Sequence, residues 1–245
     1  MQVNGHRAEG VNTDEMRIQC RAVVSARRKT NWNLLEFPGG GIKCVMPRVL
    51  GRLEKNLSSW NSKYCRENDE TVFHIEHTVT YSVFLYLLSN QLYKEGFEQS
   101  AAYVYYLNKI MHSVDWFYAI ELPDYFGAEH PLSSVLGRAE YSNYFFIYQG
   151  VTVGGNRKAD RLYYPKIGEN VILYSDSKVL GDVKIGNNVV ISANTYIKDA
   201  VIPDNSIVFG SSPNLIIKKK TESEMQEMTG CFWNRSMIKQ EENYE

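Results

Sequence analysis

From about residue 134 the chain repeats every six residues. Aliphatic or aromatic side chains stand at Val135, Tyr141, Ile147 and Val153, and after an interruption at Ile167, Leu173, Val179, Ile185, Ile191 and Ile197. Four positions after most of these comes a small or apolar side chain: Ala139, Phe145, Val151, Val171, Ser177, Val183, Val189, Thr195 and Val201. An amphipathic helix needs a period near 3.6 and a strand a period of 2, so neither accounts for the pattern. Short straight segments joined by corners do. Three such segments close one triangular coil, which predicts about four coils of parallel β-helix around a narrow aliphatic core. Gly137, Gly154, Gly168, Gly181 and Gly186 fall where corners or close backbone approaches are needed. The interruption, Asn156 to Lys166, is polar and ends near a proline, and the period then resumes in phase. It reads as a loop thrown out of a rigid scaffold, a place where function concentrates.

Upstream the texture is helical. Val49, Leu50, Leu53 and Leu57 predict a helix over Pro47 to Trp60. Residues 70–113 read as a helical hairpin, with Val79, Val83, Phe84, Leu87, Leu88 and Leu92 on one stripe, Gly96 beyond its end, and Ala101, Val104, Tyr105, Leu107 and Met111 on a second. The expected organisation is an N-terminal region over 1–66 of unread role and a hairpin with its lead-in over 67–133. The solenoid follows over 134–218 with its extruded loop at 156–166, and a tail occupies 219–245. The hairpin would cover one open end of the coil and Pro213–Lys220 the other. The fold class is therefore mainly β, a parallel β-helix preceded by α-helices.

Composition narrows the function classes. The chain has 27 basic and 28 acidic residues and a net charge of −1, so it lacks the global footprint of a nucleic-acid binder. No run of about 18 apolar residues exists for a membrane span, and the first residues have no signal-peptide core. Cys20, Cys44, Cys65 and Cys231 form no CxxC, which predicts free thiols, a cytoplasmic setting and no metal site. Phe37-Pro38-Gly39-Gly40-Gly41 is a glycine loop with no Gly-Lys-Ser/Thr after it, hence no phosphate loop.

QGVTVGGNRK (149–158), DRLYYPKIGENV (160–171), SDSKVLGDVKIGNNVVISANTYI (175–197) and IPDNSIVFGSSPNLIIK (202–218) resemble the hexapeptide-repeat acyltransferases. They are most similar to serine acetyltransferases and related sugar O-acetyltransferases. The resemblance covers about residues 75–218. It implies a left-handed β-helix, an exception to the usual crossover hand, and transfer of an acetyl group from acetyl-CoA.

Such transfer needs a base of near-neutral pKa beside the acceptor hydroxyl. His130, in AEHPLSSVLG, matches the family's catalytic histidine in its distance from the turn Thr152-Val153-Gly154-Gly155. Asp115 lies fifteen residues before it, the spacing of the family's orienting carboxylate. Glu129 stands where the family has an acidic residue facing the acceptor. The resemblance also assigns the CoA arm to small residues, here Gly154, Gly155, Ser175 and Ala193, and gives Lys158, Lys178 and Lys218 as partners for its phosphates. Arg161, Tyr163 and Tyr164, on the extruded loop, are the candidate acceptor contacts. Tyrosines there replace an Arg-His pair that holds the amino acid in serine acetyltransferases, so a saccharide hydroxyl is the expected acceptor. L-serine is the alternative; a sugar N-acetyltransferase and a non-catalytic trimeric scaffold are further ones. Expected partners are acetyl-CoA, a small-molecule acceptor and two or five further copies of the chain, as a trimer or a pair of trimers.

Overall fold

The structure is a computed structural model and describes residues 40–68, 70–159 and 161–234. Three helices come first: α1 (Ile42–Ser58), α2 (Thr78–Lys94) and α3 (Glu98–His112). A two-stranded ladder, β1 (Arg66–Glu67) with β2 (Glu70–Thr71), lies between the first two. The helices match the expected positions, with α1 starting five residues before Pro47, which it carries in its second turn, because Ile42 and Val45 already pack inward. The expectation over 1–39 and 235–245, with Cys20 and His6, lies outside the described residues.

The solenoid has three faces. One carries β3 (Asp115–Trp116), β5 (Val135–Leu136), β8 (Thr152–Gly154), β13 (Lys178–Leu180) and β16 (Tyr196–Lys198), stacked in parallel. The second carries β4 (Phe126–Ala128), β7 (Phe145–Ile147), β12 (Val171–Leu173), β15 (Val189–Ile191) and the start of β18 (Ser206–Ser211). The third carries β6 (Glu140–Tyr141), β11 (Lys166–Ile167), β14 (Lys184–Ile185) and β17 (Val201–Ile202). That makes about five turns, one more than the period predicts. The extra turn, residues 115–128, carries no hexad signal. The helices complete it, so its sequence answers to them.

Two hexads also slip. Val135 and Val201 face outward, 37% and 70% exposed, while Leu136 and Ile202 are buried. At these corners the step is five residues, Leu136 to Tyr141 and Ile197 to Ile202, and the ladder pairs Leu136 with Val153 and Ile202 with Ile185. Corners are turned by left-handed residues: Asn170, Asn188 and Asn205 at one, and Ser133, Gly150, Asp176 and Asn194 at another. Asparagine and aspartate tolerate that conformation. The first three also form a side-chain ladder, at 2.9 Å and 3.1 Å.

Both open ends are closed. At the first, buried polar groups on α1 and α2 and on Trp60, two residues after α1, satisfy the unpaired edge of turn one. Asn56 donates to the Asp124 and Phe126 carbonyls, Trp60 Nε1 to Phe126, and Tyr86 and Asn90 to Ile120. An uncovered edge would leave those carbonyls buried and unpaired. At the other end β19 (Asn214–Lys219) folds back antiparallel on β18.

The tail is not loose. After β19, α4 (Glu222–Thr229), opened by a Thr221/Glu224 capping box, starts a strap that runs back along the second face. Thr229 meets Asn170, Phe232 meets Phe146, and Trp233 bridges Trp60. Gly127 is required under this strap, since a Cβ there would lie 2.5 Å from the Phe146 ring.

Candidate active site

His130 sits in the wide corner of turn one between the second and first faces. The corner, residues 129–134, is held by Glu129 N–H to the Ile147 carbonyl (3.0 Å), Ser133 N–H to Ser113 (2.8 Å) and Gly150 N–H to Leu132 (2.8 Å). His130 itself has φ 47°, and its side chain is exposed. Among the described residues its ring makes no hydrogen bond or ion pair. A base projecting from a pinned backbone with both ring nitrogens free can accept a proton from an incoming hydroxyl.

Gln149 succeeds His130 at the same corner, and small residues follow it. Its later turns place Ser175 and Ala193 there, coupled by hydrogen bonds from Asp176 N–H to Gln149 and from Asn194 N–H to Ser175. They leave a low path up the corner for an extended chain. Lys178 starts the adjoining strand, but its Nζ folds back onto the Gly150 carbonyl (2.6 Å) and the Asp176 carbonyl (2.9 Å).

Asp115 opens the first face, its N–H bonded to Ser134 at 2.8 Å. Its carboxylate turns to α3, where Lys109 Nζ lies at 2.6 Å and Tyr105 donates its hydroxyl. Partial burial alone would raise its pKa; the hydrogen bonds from Lys109 and Tyr105 outweigh that and hold it below the usual carboxylate range. Asp115 thus pairs with Val135, five residues beyond His130, and no bond joins the Asp115 and His130 side chains.

The remaining candidates lie across the first face, at its far corner. Gly154 ends β8 and Gly155 follows it. The extruded loop is a hairpin, β9 (Asn156–Lys158) with β10 (Arg161–Tyr163). Lys158 and Arg161 both lie over the Tyr163 ring, at 5.2 Å and 5.4 Å, and Lys158 also reaches Asp199 at 3.2 Å. Tyr164 covers Gly155, where a Cβ would come 2.7 Å from the ring. Lys218, on β19 beyond the last turn, stands over Phe209 at 5.3 Å. The structure therefore gathers Glu129, His130, Ser175, Lys178 and Ala193 on one corner and Gly154, Gly155, Lys158, Arg161, Tyr163 and Tyr164 on the other.

Sequence reasoning missed two sets. Lys109 and Tyr105 grip Asp115 from a helix whose stripe gives no hint of it. Tyr148, Tyr174 and Phe232 line the His130 corner, and the first two were legible as aromatic residues where small corner residues stand elsewhere. The Tyr148 hydroxyl is pushed well up, first by burial and then by the nearby Glu129 carboxylate. No group of three metal-ligating side chains occurs among the described residues, and none of the helices there is long and apolar enough to cross a membrane.

Residues 164–199 match the bacterial transferase hexapeptide model of six repeats. A serine acetyltransferase of Staphylococcus epidermidis is 30% identical over 141 residues, 57% of this chain and 65% of that protein. One of Staphylococcus aureus is 29% identical over 140 residues, again 57% and 65%. The chain thus spans just under two thirds of these relatives. Among solved structures, the serine acetyltransferase of Neisseria gonorrhoeae superimposes with a TM-score of 0.59 at 21% identity, covering 74% of this chain and 71% of that one. That of Vibrio cholerae gives 0.60 at 19%, covering 75% and 70%. Repeat, topology and sequence agree: the chain is a left-handed parallel β-helix that resembles the hexapeptide-repeat acyltransferases and is most similar, among those compared, to serine acetyltransferases.

Proposed function

We propose that this protein is an acetyl-CoA-dependent O-acetyltransferase with His130 as general base. The observation that carries the reading is His130 on a pinned corner, its ring unpartnered, with Gln149 and then the small Ser175 and Ala193 above it on successive turns. Ser175 and Ala193 fit a thin arm laid along the corner, and the thioester end would then meet His130. The thioester supplies an already activated acetyl group. His130 takes the acceptor's hydroxyl proton as its oxygen bonds to the acetyl carbon, and returns it to sulfur as the carbon–sulfur bond breaks. No serine or cysteine side chain is bonded to His130, which favours direct transfer in a ternary complex over an acetyl-enzyme.

The names of the relatives favour L-serine as the acceptor. A second reading, a saccharide hydroxyl, has its own support: the loop presents Tyr163 and Tyr164, and Lys158, Arg161 and Lys178 are already engaged by rings or carbonyls. A trimer, or a pair of trimers joined through the helices, fits the two solenoid faces the strap leaves open. Thiol release from acetyl-CoA, measured with L-serine, monosaccharides and nucleotide sugars, tests the activity. Release with a hydroxyl acceptor that is lost in His130→Ala is expected. No release with any acceptor sinks the reading in favour of a scaffold. Light scattering that finds an active monomer sinks the trimer.

A further inference from the structure

We infer that Tyr148, Tyr174 and Phe232 form an aromatic ledge beside Glu129 that binds the acceptor, and that the acceptor it takes is a sugar ring. Tyr148 and Tyr174 occupy the same corner position in successive turns, with ring centroids 5.0 Å apart and planes 10° from parallel. Phe232 stands edge-on against both, at 6.3 Å and 6.4 Å. All three are half-buried, so the ledge is fixed by packing and still open to solvent. At its lower end the Tyr148 hydroxyl lies near the Glu129 carboxylate, next in sequence to His130.

The chemistry of these groups selects a class of ligand. Aromatic faces are negative at the ring centre and attract the positively polarised C–H face of a pyranose. A carboxylate such as that of Glu129 offers several lone pairs to sugar hydroxyls. An α-amino acid would ask for a cation against its own carboxylate. The nearest lysine on this corner, Lys178, is spent on two backbone carbonyls, and Lys109 is spent on Asp115. The ledge also gives the strap a task. Phe232 is delivered by the segment after α4, which is anchored one residue later by Trp233 and then by Asn234 N–H on the Ser59 carbonyl (2.7 Å). The inference rests on acetyl transfer at His130 for its meaning, but its test reads binding.

Calorimetric titration of the full chain with a panel of free hexoses, hexosamines and their methyl glycosides, and with L-serine, is done without acetyl-CoA. At least one saccharide should bind and L-serine should not. Tyr174→Ala should weaken that saccharide about tenfold, the loss of one ring contact, while Tyr174→Phe keeps it. Phe232→Leu, which preserves the apolar seat of the strap, should weaken it less. Thermal melting checks that each variant is folded, and CoA titration should be unchanged throughout. Absence of saccharide binding, an unaltered Kd in a folded Tyr174→Ala, or a loss that falls on CoA would each overturn the ledge. Saccharide binding by a protein that releases no thiol would keep the ledge and remove the transferase reading.

Discussion

The prism and the pieces that wrap it follow different rules. Inside the prism, Leu173, Val179, Ile185, Ile191 and Ile197 repeat one instruction, and each side chain meets its counterpart one turn away. The wrapping pieces, α1 to α3, the hairpin 156–163 and the strap 221–234, share no period. They satisfy what the repeat cannot: its raw ends, its apolar second face, and every asymmetry a site requires. A repeat places identical chemistry on every rung. A single base with one carboxylate on one side needs a place where the repeat stops, and His130 stands where turn one meets the helices.

The largest effect should separate the two regions at the site itself. His130→Ala is expected to lower kcat by about 10²–10⁴, the usual worth of a general base, with melting temperature and CoA affinity intact. Asp115→Asn should cost less, because its carboxylate is bonded to Lys109 and Tyr105 and not to the His130 ring; a double variant that merely matches His130→Ala would show the two acting through one imidazole. Additive losses would show that Asp115 works apart from His130, as its bonds to Lys109 and Tyr105 allow.

Stability variants come next. Leu173→Ala, in the prism core, and Trp233→Ala, in the strap, should each destabilise by about 3–5 kcal/mol. Their consequences should differ. Trp233→Ala releases Phe232 and should also raise acceptor KM in the surviving folded fraction, whereas Leu173→Ala should leave acceptor KM alone. Equal effects on KM from both would mean that the strap is only a clamp.

The same division explains what was legible in the sequence. The period fixes strand phase because each inward residue has a constant partner, and it failed only where a corner tightened to five residues, at Leu136 to Tyr141 and Ile197 to Ile202. The first turn escaped because Trp116, Ile120 and Phe126 are chosen by Tyr86, Asn56 and Asn90 on the helices, not by a neighbouring rung. His130, Glu129 and Asp115 could be placed by resemblance, since they lie at fixed distances within the matched stretch. Phe232 could not, because it lies 103 positions after Glu129 and only folding of the strap joins them. Lysines were the weakest reading. A positive charge on a solenoid corner is as useful to a backbone carbonyl, as for Lys178, or to a carboxylate, as for Lys158 with Asp199, as to a phosphate.

A smaller effect should come from the hairpin. Replacing 157–162 by a two-residue turn leaves the ladder from β8 to β13 unbroken and should preserve CoA binding. Acceptor KM should rise about tenfold if the hairpin reaches the site of a neighbouring copy, through the loss of Arg161, which lies over the Tyr163 ring. An unchanged KM would confine acceptor binding to the His130 corner.

The smallest effect lies where prism and helices touch, at the Lys109–Asp115 pair. Its side chains are 46% and 33% exposed, so solvent screens it and it should contribute less than about 1 kcal/mol. Its sign is still readable. Asp115 is held below the ordinary carboxylate value when folded, so the unfolded chain binds its proton first as the pH falls. The stabilisation is therefore full above about pH 4 and disappears as the pH drops through the folded value. Lys109→Met removes the partner without touching the carboxylate. Urea midpoints taken from neutral pH down into that acid range should show the variant less stable than the wild type at neutral pH, with the gap closing at the acid end. A gap that persists where Asp115 is protonated would trace the loss to the lysine's packing over the Tyr105 ring, 5.5 Å away, and not to its charge.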